Sequence, residues 1–267
     1  MPLGSEDSAP TAGPPSKVAR DRPILLVGES WVSGGTHTKG MNTFEQPYYE
    51  EGGQELVAAL EEAGFRVDRM PSHLVSEAMP SREGLAGYGL VILSDVGADS
   101  FLLTATCRGG RTGPNHLLNL AEWLQGGGAL LMVGGYMSFS GFDGRAHYDR
   151  SALAPLLPVS VSPTDDRSEH PEGVAPTVCA DHPIVQGLPQ TWPPVLGYNR
   201  VAMKLEGELL VSVGPDPLLA VAAPGEGRVA AFTTDCAPHW ASLEFLEWSG
   251  YARLFTNLAD WLMKNTD

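Results

Sequence analysis

The sequence is short of cysteine, of basic residues and of long apolar runs. Its three cysteines, Cys107, Cys179 and Cys236, are an odd and widely spaced set with no CxxC pair. That pattern excludes a disulfide framework and a zinc ribbon, and leaves reduced thiols as the expectation. Lys and Arg number 17 against 32 Asp and Glu, a formal net charge of -15. So acidic a surface repels phosphate backbones and anionic lipid, and neither nucleic acid nor a membrane surface is expected as a partner. No apolar run approaches the roughly 20 residues that span a bilayer, and the N-terminus lacks the charged-then-apolar pattern of a secretion signal. A cytoplasmic protein is expected. Internal repeats are absent as well.

What is present is enough apolar material, 43% of 267 residues, to bury a substantial core. Residues 1–22 are rich in Pro, Ser, Ala, Gly and charge, so they cannot offset the entropy of ordering and read as a flexible N-terminal tail. Residues 23–267 read as a single α/β domain. Ile24 to Val27 form a continuous apolar run closed by Gly28, as expected of a strand buried on both faces. Leu56, Val57, Leu60 and Ala63 recur at helical spacing, with Gly64 where a left-handed cap would sit. Phe65 to Met70, Leu90 to Ser94 and Ala129 to Val133 supply further strands, and Leu117, Leu118, Ala121 and Leu124 a second helix. Alternation of this kind predicts a doubly wound, mostly parallel sheet. Pro155 to Arg200 shows little periodicity and reads as a long excursion over the sheet edge. Leu209 to Val213, Leu218 to Ala222 and Arg228 to Thr233 read as an antiparallel extension near the C-terminus, and Tyr251 to Leu262 as a closing amphipathic helix.

In an open parallel sheet, ligands collect beyond the carboxyl ends of the strands. Four segments follow such ends here, and they are expected to converge. They are Glu29, Ser30 and Trp31, leading into a glycine-containing loop with His37 and Lys39; Asp95; Gly134 to Ser138; and Asp235 to Trp240.

The segment Leu130 to Ser138 resembles the nucleophile elbow of class I glutamine amidotransferases, a strand running into G-x-C-x-G with Gly134 as the first glycine. Tyr136 occupies the cysteine position and Ser138 that of the second glycine. Asp181, His182, Pro183, Ile184, Gly187, Leu188 and Pro189 are similar to a stretch of the trehalose-utilisation-type branch, as are Pro217 and Leu218 ahead of Gly227, Arg228 and Val229. The resemblance covers most of residues 23–264 and implies a flavodoxin-like, class I glutamine amidotransferase-like fold. It also implies a histidine after the strand ending at Thr233, with a glutamate two residues later. His239 lies in that region, but Ala241 takes the glutamate's place. Amide hydrolysis by the family's route needs a thiolate on a strained turn, and a phenol, with an ordinary pKa of about 10, is a poor acyl carrier. Glutaminase activity is therefore not expected.

The catalytic candidates are Tyr136, Cys236, His239 and Glu29. Cys236 and His239 read as a relocated thiol–imidazole pair or as two ligands of a zinc site completed by His37 or Glu29; equally, Cys236 reads as a buried structural cysteine. No cofactor is otherwise required. The candidates for binding a small polar metabolite are Ser30, Trp31, His37, Lys39, Asp95, Gly135, Met137, Ser138, Asp235 and Trp240. Asp95 reads equally as a turn former. The aromatic set Trp31, Tyr48, Tyr49, Phe139, Phe142, Tyr148 and Trp240 suits either a stacked planar ligand or a subunit interface, and a homo-oligomer is expected. Asp165, Asp166, Glu169 and Glu172 read as a solvated loop face.

Overall fold

The computed structural model describes residues 19–265. Eighteen residues of the expected tail, 1–18, lie outside the described residues. Residues 19–22 do not behave as a tail. Arg20 forms an ion pair with Asp260 at 2.9 Å, donates to the Ala63 carbonyl and lies over the Phe65 ring.

The chain runs through β1 (Ile24–Gly28), β2 (Ser30–Lys39), β3 (Asn42–Glu51), α1 (Gln54–Glu62), β4 (Val67–Met70) and β5 (Leu90–Ser94). It continues through α2 (His116–Gln125), β6 (Ala129–Val133), β7 (Val159–Ser160), β8 (Arg167–Val174), β9 (Thr177–Val178), β10 (Val195–Asn199) and β11 (Ala202–Met203). Then come β12 (Glu208–Val213), β13 (Asp216–Ala222), β14 (Arg228–Phe232) and α3 (Tyr251–Leu262). The central sheet has eight strands in the order β4-β1-β5-β6-β14-β13-β12-β9. From β4 to β14 neighbouring strands are parallel, and from β14 to β9 they are antiparallel. This is the mostly parallel α/β sheet with a late antiparallel extension that the hydrophobic pattern predicts.

Each apolar run feeds both faces, because successive strand side chains alternate. Ile24 and Leu26 pack with Leu56 and Leu60 of α1 and Leu254, Phe255 and Leu258 of α3. Leu25 and Val27 pack on the opposite side with Leu117, Leu120 and Leu124 of α2. The helix α1 ends where Gly64 takes a φ of 88°, a conformation without steric cost for glycine.

Two segments differ from the sequence reading. Residues 30–51 are not a loop: β2 and β3 pair over ten registered positions, Ser30 with Glu51 through Lys39 with Asn42, into an exposed two-stranded hairpin. The excursion over residues 155–200 carries strands of its own, with β8 paired to β10 and β7 to β11.

Candidate functional site at the strand ends

Register decides what meets at the crevice. Gly28 aligns with Ser94, and Val133 aligns with both Ser94 and Phe232, so β1, β5, β6 and β14 end at one level. The residues that follow, Glu29, Asp95, Gly134 and Thr233, are therefore neighbours. Close approach demands glycine here: a Cβ on Gly28 would enter the Ser94 carbonyl, and one on Gly134 would enter that of Thr233. Glu29 and Asp95 themselves turn sharply, with φ of 49° and 46°, in the left-handed region that costs an L residue about 1 kcal/mol or more.

Beneath the crevice lies a buried acidic group. The Ser94 hydroxyl donates to Glu29 Oε1 at 2.5 Å, and the Cys236 thiol lies 3.8 Å from the same oxygen and 3.6 Å from Ser94 Oγ. Asp235 caps its own turn, accepting from the Ala237 N–H at 3.0 Å. Gly52 and Gly53, at the root of the hairpin, wall the Glu29 side chain; a Cβ on Gly52 would stand 2.5 Å from Oε2. Burial lifts the Glu29 carboxyl to about 7, against the Ser94 hydrogen bond and helped by the Asp95 charge. Burial, then the charges of Glu29 and Asp95, pushes Asp235 well up; burial, then Glu29 and Asp235, does the same to the Cys236 thiol. The donor atoms of Glu29, Asp235 and Cys236 lie within 4.8 Å of one another, the grouping among the described residues that could hold a cation. Any ion there would compete with protons, which burial makes harder to remove from all three groups.

Above that layer the elbow turn is pinned from three sides. Asp95 Oδ1 accepts from the Met137 N–H at 2.6 Å, and Ser138 Oγ accepts from the Asp95 N–H at 3.1 Å. Asn199, fully buried at the end of β10, accepts from the Gly135 N–H at 3.0 Å and donates to Asp166 Oδ1 at 2.8 Å. Asp166 in turn accepts from the N–H groups of Ser140 and Gly141, and burial raises its carboxyl to about 6 despite the Asn199 hydrogen bond.

Tyr136 stands at the tip of the turn, half-buried, in an aromatic and polar surround. Its ring centroid is 4.5 Å from that of His239 and 5.7 Å from that of Trp240, both edge-on. Its hydroxyl donates to Glu169 Oε1 at 3.1 Å, while Trp240 Nε1 donates to the other Glu169 oxygen at 2.9 Å. The Arg167 guanidinium lies over the rings of both Tyr136 and Phe142. Burial, then Glu169, raises the Tyr136 phenol above its ordinary value, so at neutral pH it is a donor and not a phenolate.

The structure thus gathers Glu29, Asp95, Gly135, Tyr136, Met137, Ser138, Asp235, Cys236, His239 and Trp240 around one crevice. It does not gather all the sequence candidates. His37 and Lys39 ride out on the hairpin, where His37 stacks on Phe44 and Lys39 lies over the same ring. Trp31 is also on the hairpin, donating to Glu50, and Ser30 Oγ accepts from the Ser72 N–H at its root. Cys236 and His239 do not form a thiol–imidazole pair: the thiol is enclosed with Glu29 and Ser94, whereas the imidazole is exposed beside Tyr136. Asp166 and Glu169 are not an idle solvated face. Ser94, Asp166, Arg167, Glu169 and Asn199 belong to the site, and only the strand-end position of Ser94 offered a sequence signal for any of them. A hollow of about 730 Å³ lies instead beside the outer strand β9, lined by Val178, Cys179, Asp181 and Trp192, and no crevice residue reaches it.

Comparison with known proteins agrees with this architecture. Two Salmonella typhimurium proteins of solved structure, named cytoplasmic proteins STM3548 and STM1381, are 36% and 38% identical, with TM-scores of 0.87 and 0.86. Each alignment covers 90% of this chain, and 98% and 99% of the respective Salmonella chains. A ThuA-like protein from Bacteroides uniformis shares the fold at 13% identity and a TM-score of 0.55, over 96% of this chain and 95% of its own. No functionally curated sequence matches the chain. The profile of the family described as "putative glutamine amidotransferase" matches residues 23–264, and the chain belongs to that family.

Proposed function

We propose that this family member does not hydrolyse glutamine and instead uses the crevice at the strand ends to bind a small polar metabolite. One observation carries the reading: the elbow position holds Tyr136, a phenol fastened to Glu169, while the thiol at the crevice, Cys236, is enclosed and held protonated. Neither group is a nucleophile at neutral pH. What reaches solvent at the turn is suited to recognition. The Tyr136, Phe142 and His239 rings offer stacking surface, and Glu169 and Arg167 offer charged hydrogen-bonding groups. The names of the Salmonella relatives support a cytoplasmic setting, and the described residues include no helix long and apolar enough to cross a membrane.

A second reading, an enzyme using Glu29 as a general acid, draws on that carboxyl's value of about 7. A thermal-shift screen over a metabolite panel decides whether a ligand exists, since one at about 100 times its Kd adds roughly 2.7 kcal/mol of stability. Binding abolished by Tyr136→Phe or His239→Ala, with no turnover, is the expected result. Ammonia release from glutamine would overturn the reading. Turnover lost in Glu29→Gln, with binding kept, would favour the enzyme.

A further inference from the structure

Among the described residues, nothing supports the β2–β3 hairpin beyond its root. Both strands have ten residues, nearly all exposed, and a two-stranded hairpin alone in water is marginally stable at best. Among the described residues, only its root touches the body: Tyr49 packs edge-on against His73, Arg69 donates to the Gly52 carbonyl and sits 3.8 Å from Glu51, and the Ser72 N–H donates to Ser30.

Register sorts its side chains onto two faces, because directly paired residues and every second residue share a side. Tyr49 and Glu51 belong to the face that leans on the body at the root. The opposite face carries Trp31, His37, Lys39, Phe44, Tyr48 and Glu50, and its aromatics Trp31, Phe44 and Tyr48 are 41%, 47% and 55% exposed. Charge on that face is polarised along the ribbon. Lys39 sits at the tip over Phe44, while Glu50 sits at the root. A surface that carries aromatics toward both ends, a cation at its tip and an anion at its root is complementary to itself after a half-turn.

We propose that this face is a self-association arm, which docks antiparallel on the same face of a second copy of the chain about a two-fold axis. Lys39 of each arm then meets Glu50 of the other, and the aromatic strips cover one another. The docking face supplies five residues from each of two strands, fewer than the about 20–30 a side of a standard interface, so the arm-to-arm contact is a small one. A two-fold contact of this kind is the commonest form of closed homo-oligomer.

Size-exclusion chromatography with light scattering tests the arm on the full chain. The expected mass is twice that of one chain, or an even multiple of it. Phe44→Ser with Tyr48→Ser should halve that mass while the far-UV circular dichroism stays unchanged. Lys39→Glu should weaken association, and adding Glu50→Lys to it should restore association. Hydrogen exchange keeps the test independent of those variants: hairpin amides of the wild type should be protected, and more so as protein concentration rises. A strictly monomeric wild type, a double serine variant that keeps the wild-type mass, or hairpin amides that exchange freely at every concentration would each overturn the proposal.

Discussion

The Ser94 hydroxyl donates to the Glu29 carboxyl at 2.5 Å, across the boundary between two parallel strands, and this contact ties the floor of the crevice to the sheet. Glu29 is enclosed with two other groups, Asp235 and Cys236, whose pKa burial also pushes up. The floor of the site thus binds protons more tightly than exposed carboxyls do.

That arrangement sets a pH dependence. Folding raises the Glu29 pKa from 4.5 to about 7. Between those values the folded chain holds a proton that the unfolded chain has lost, so stability is greatest below pH 4.5 on this account and falls as pH rises toward 7. The loss is on the order of 3 kcal/mol at 1.36 kcal/mol per pKa unit, and Asp95 and Asp235, also raised, act in the same sense. Urea unfolding should show Glu29→Gln more stable than the wild type at pH 8, with the advantage shrinking toward pH 5. A constant difference across that range would refute the shift.

Thiol chemistry should separate the three cysteines. Cys179 is exposed, Cys107 partly exposed and Cys236 buried with its thiol pushed up. Alkylation of the native protein, followed by peptide mass mapping, should modify Cys179 first, then Cys107, and Cys236 only after denaturation. Rapid native labelling of Cys236 would restore the case for a thiol nucleophile.

Asn199 links the elbow turn to Asp166. Asn199→Ala leaves the Gly135 N–H buried without a partner, at about 1–3 kcal/mol for a group left unsatisfied, and takes the side-chain donor from Asp166 Oδ1, which keeps only the Gly141 N–H. The expected result is a lower denaturation midpoint at an unchanged m value. An unaltered midpoint would mean that the turn does not depend on this side chain.

Tyr136→Phe removes a half-exposed hydrogen bond to Glu169 and should cost only about 0.5–1.5 kcal/mol. Its stability effect should therefore be smaller than that of Asn199→Ala, measured side by side in urea. The reverse order would assign the phenol a structural role.

The sheet was legible wherever burial was total. Leu90 to Ser94 and Ala129 to Val133 are apolar on both faces, and these strands occupy the residues that the pattern marks out. The hairpin was not legible, because its side chains face solvent, no core imposes alternation, and Gly34, Gly35, Gly40 and Pro47 read locally as a loop. Asp166 and Glu169 were misread for a related reason. Their chain neighbours are polar, and the partners that define them, Asn199 and Trp240, come 33 and 71 residues later. The strand-end rule located Glu29, Asp95 and Asp235 without showing that a carboxyl there would be walled in by Gly52 and Gly53, since those glycines arrive only when the hairpin returns.

The backbone at Glu29 has a practical consequence. A glycine would accept a φ of 49° freely, and it would also remove a carboxyl whose enclosure disfavours folding above acid pH. Both effects favour the exchange and the Ser94 hydrogen bond opposes it, so variants chosen only for heat resistance should drift toward losing this acid where the first two outweigh that bond. At Asp95, with its similar φ of 46°, the hydrogen bond from Met137 works against the same exchange. Directed improvement of this scaffold therefore has to screen for ligand retention alongside melting temperature, or it will harden the molecule by emptying its crevice floor.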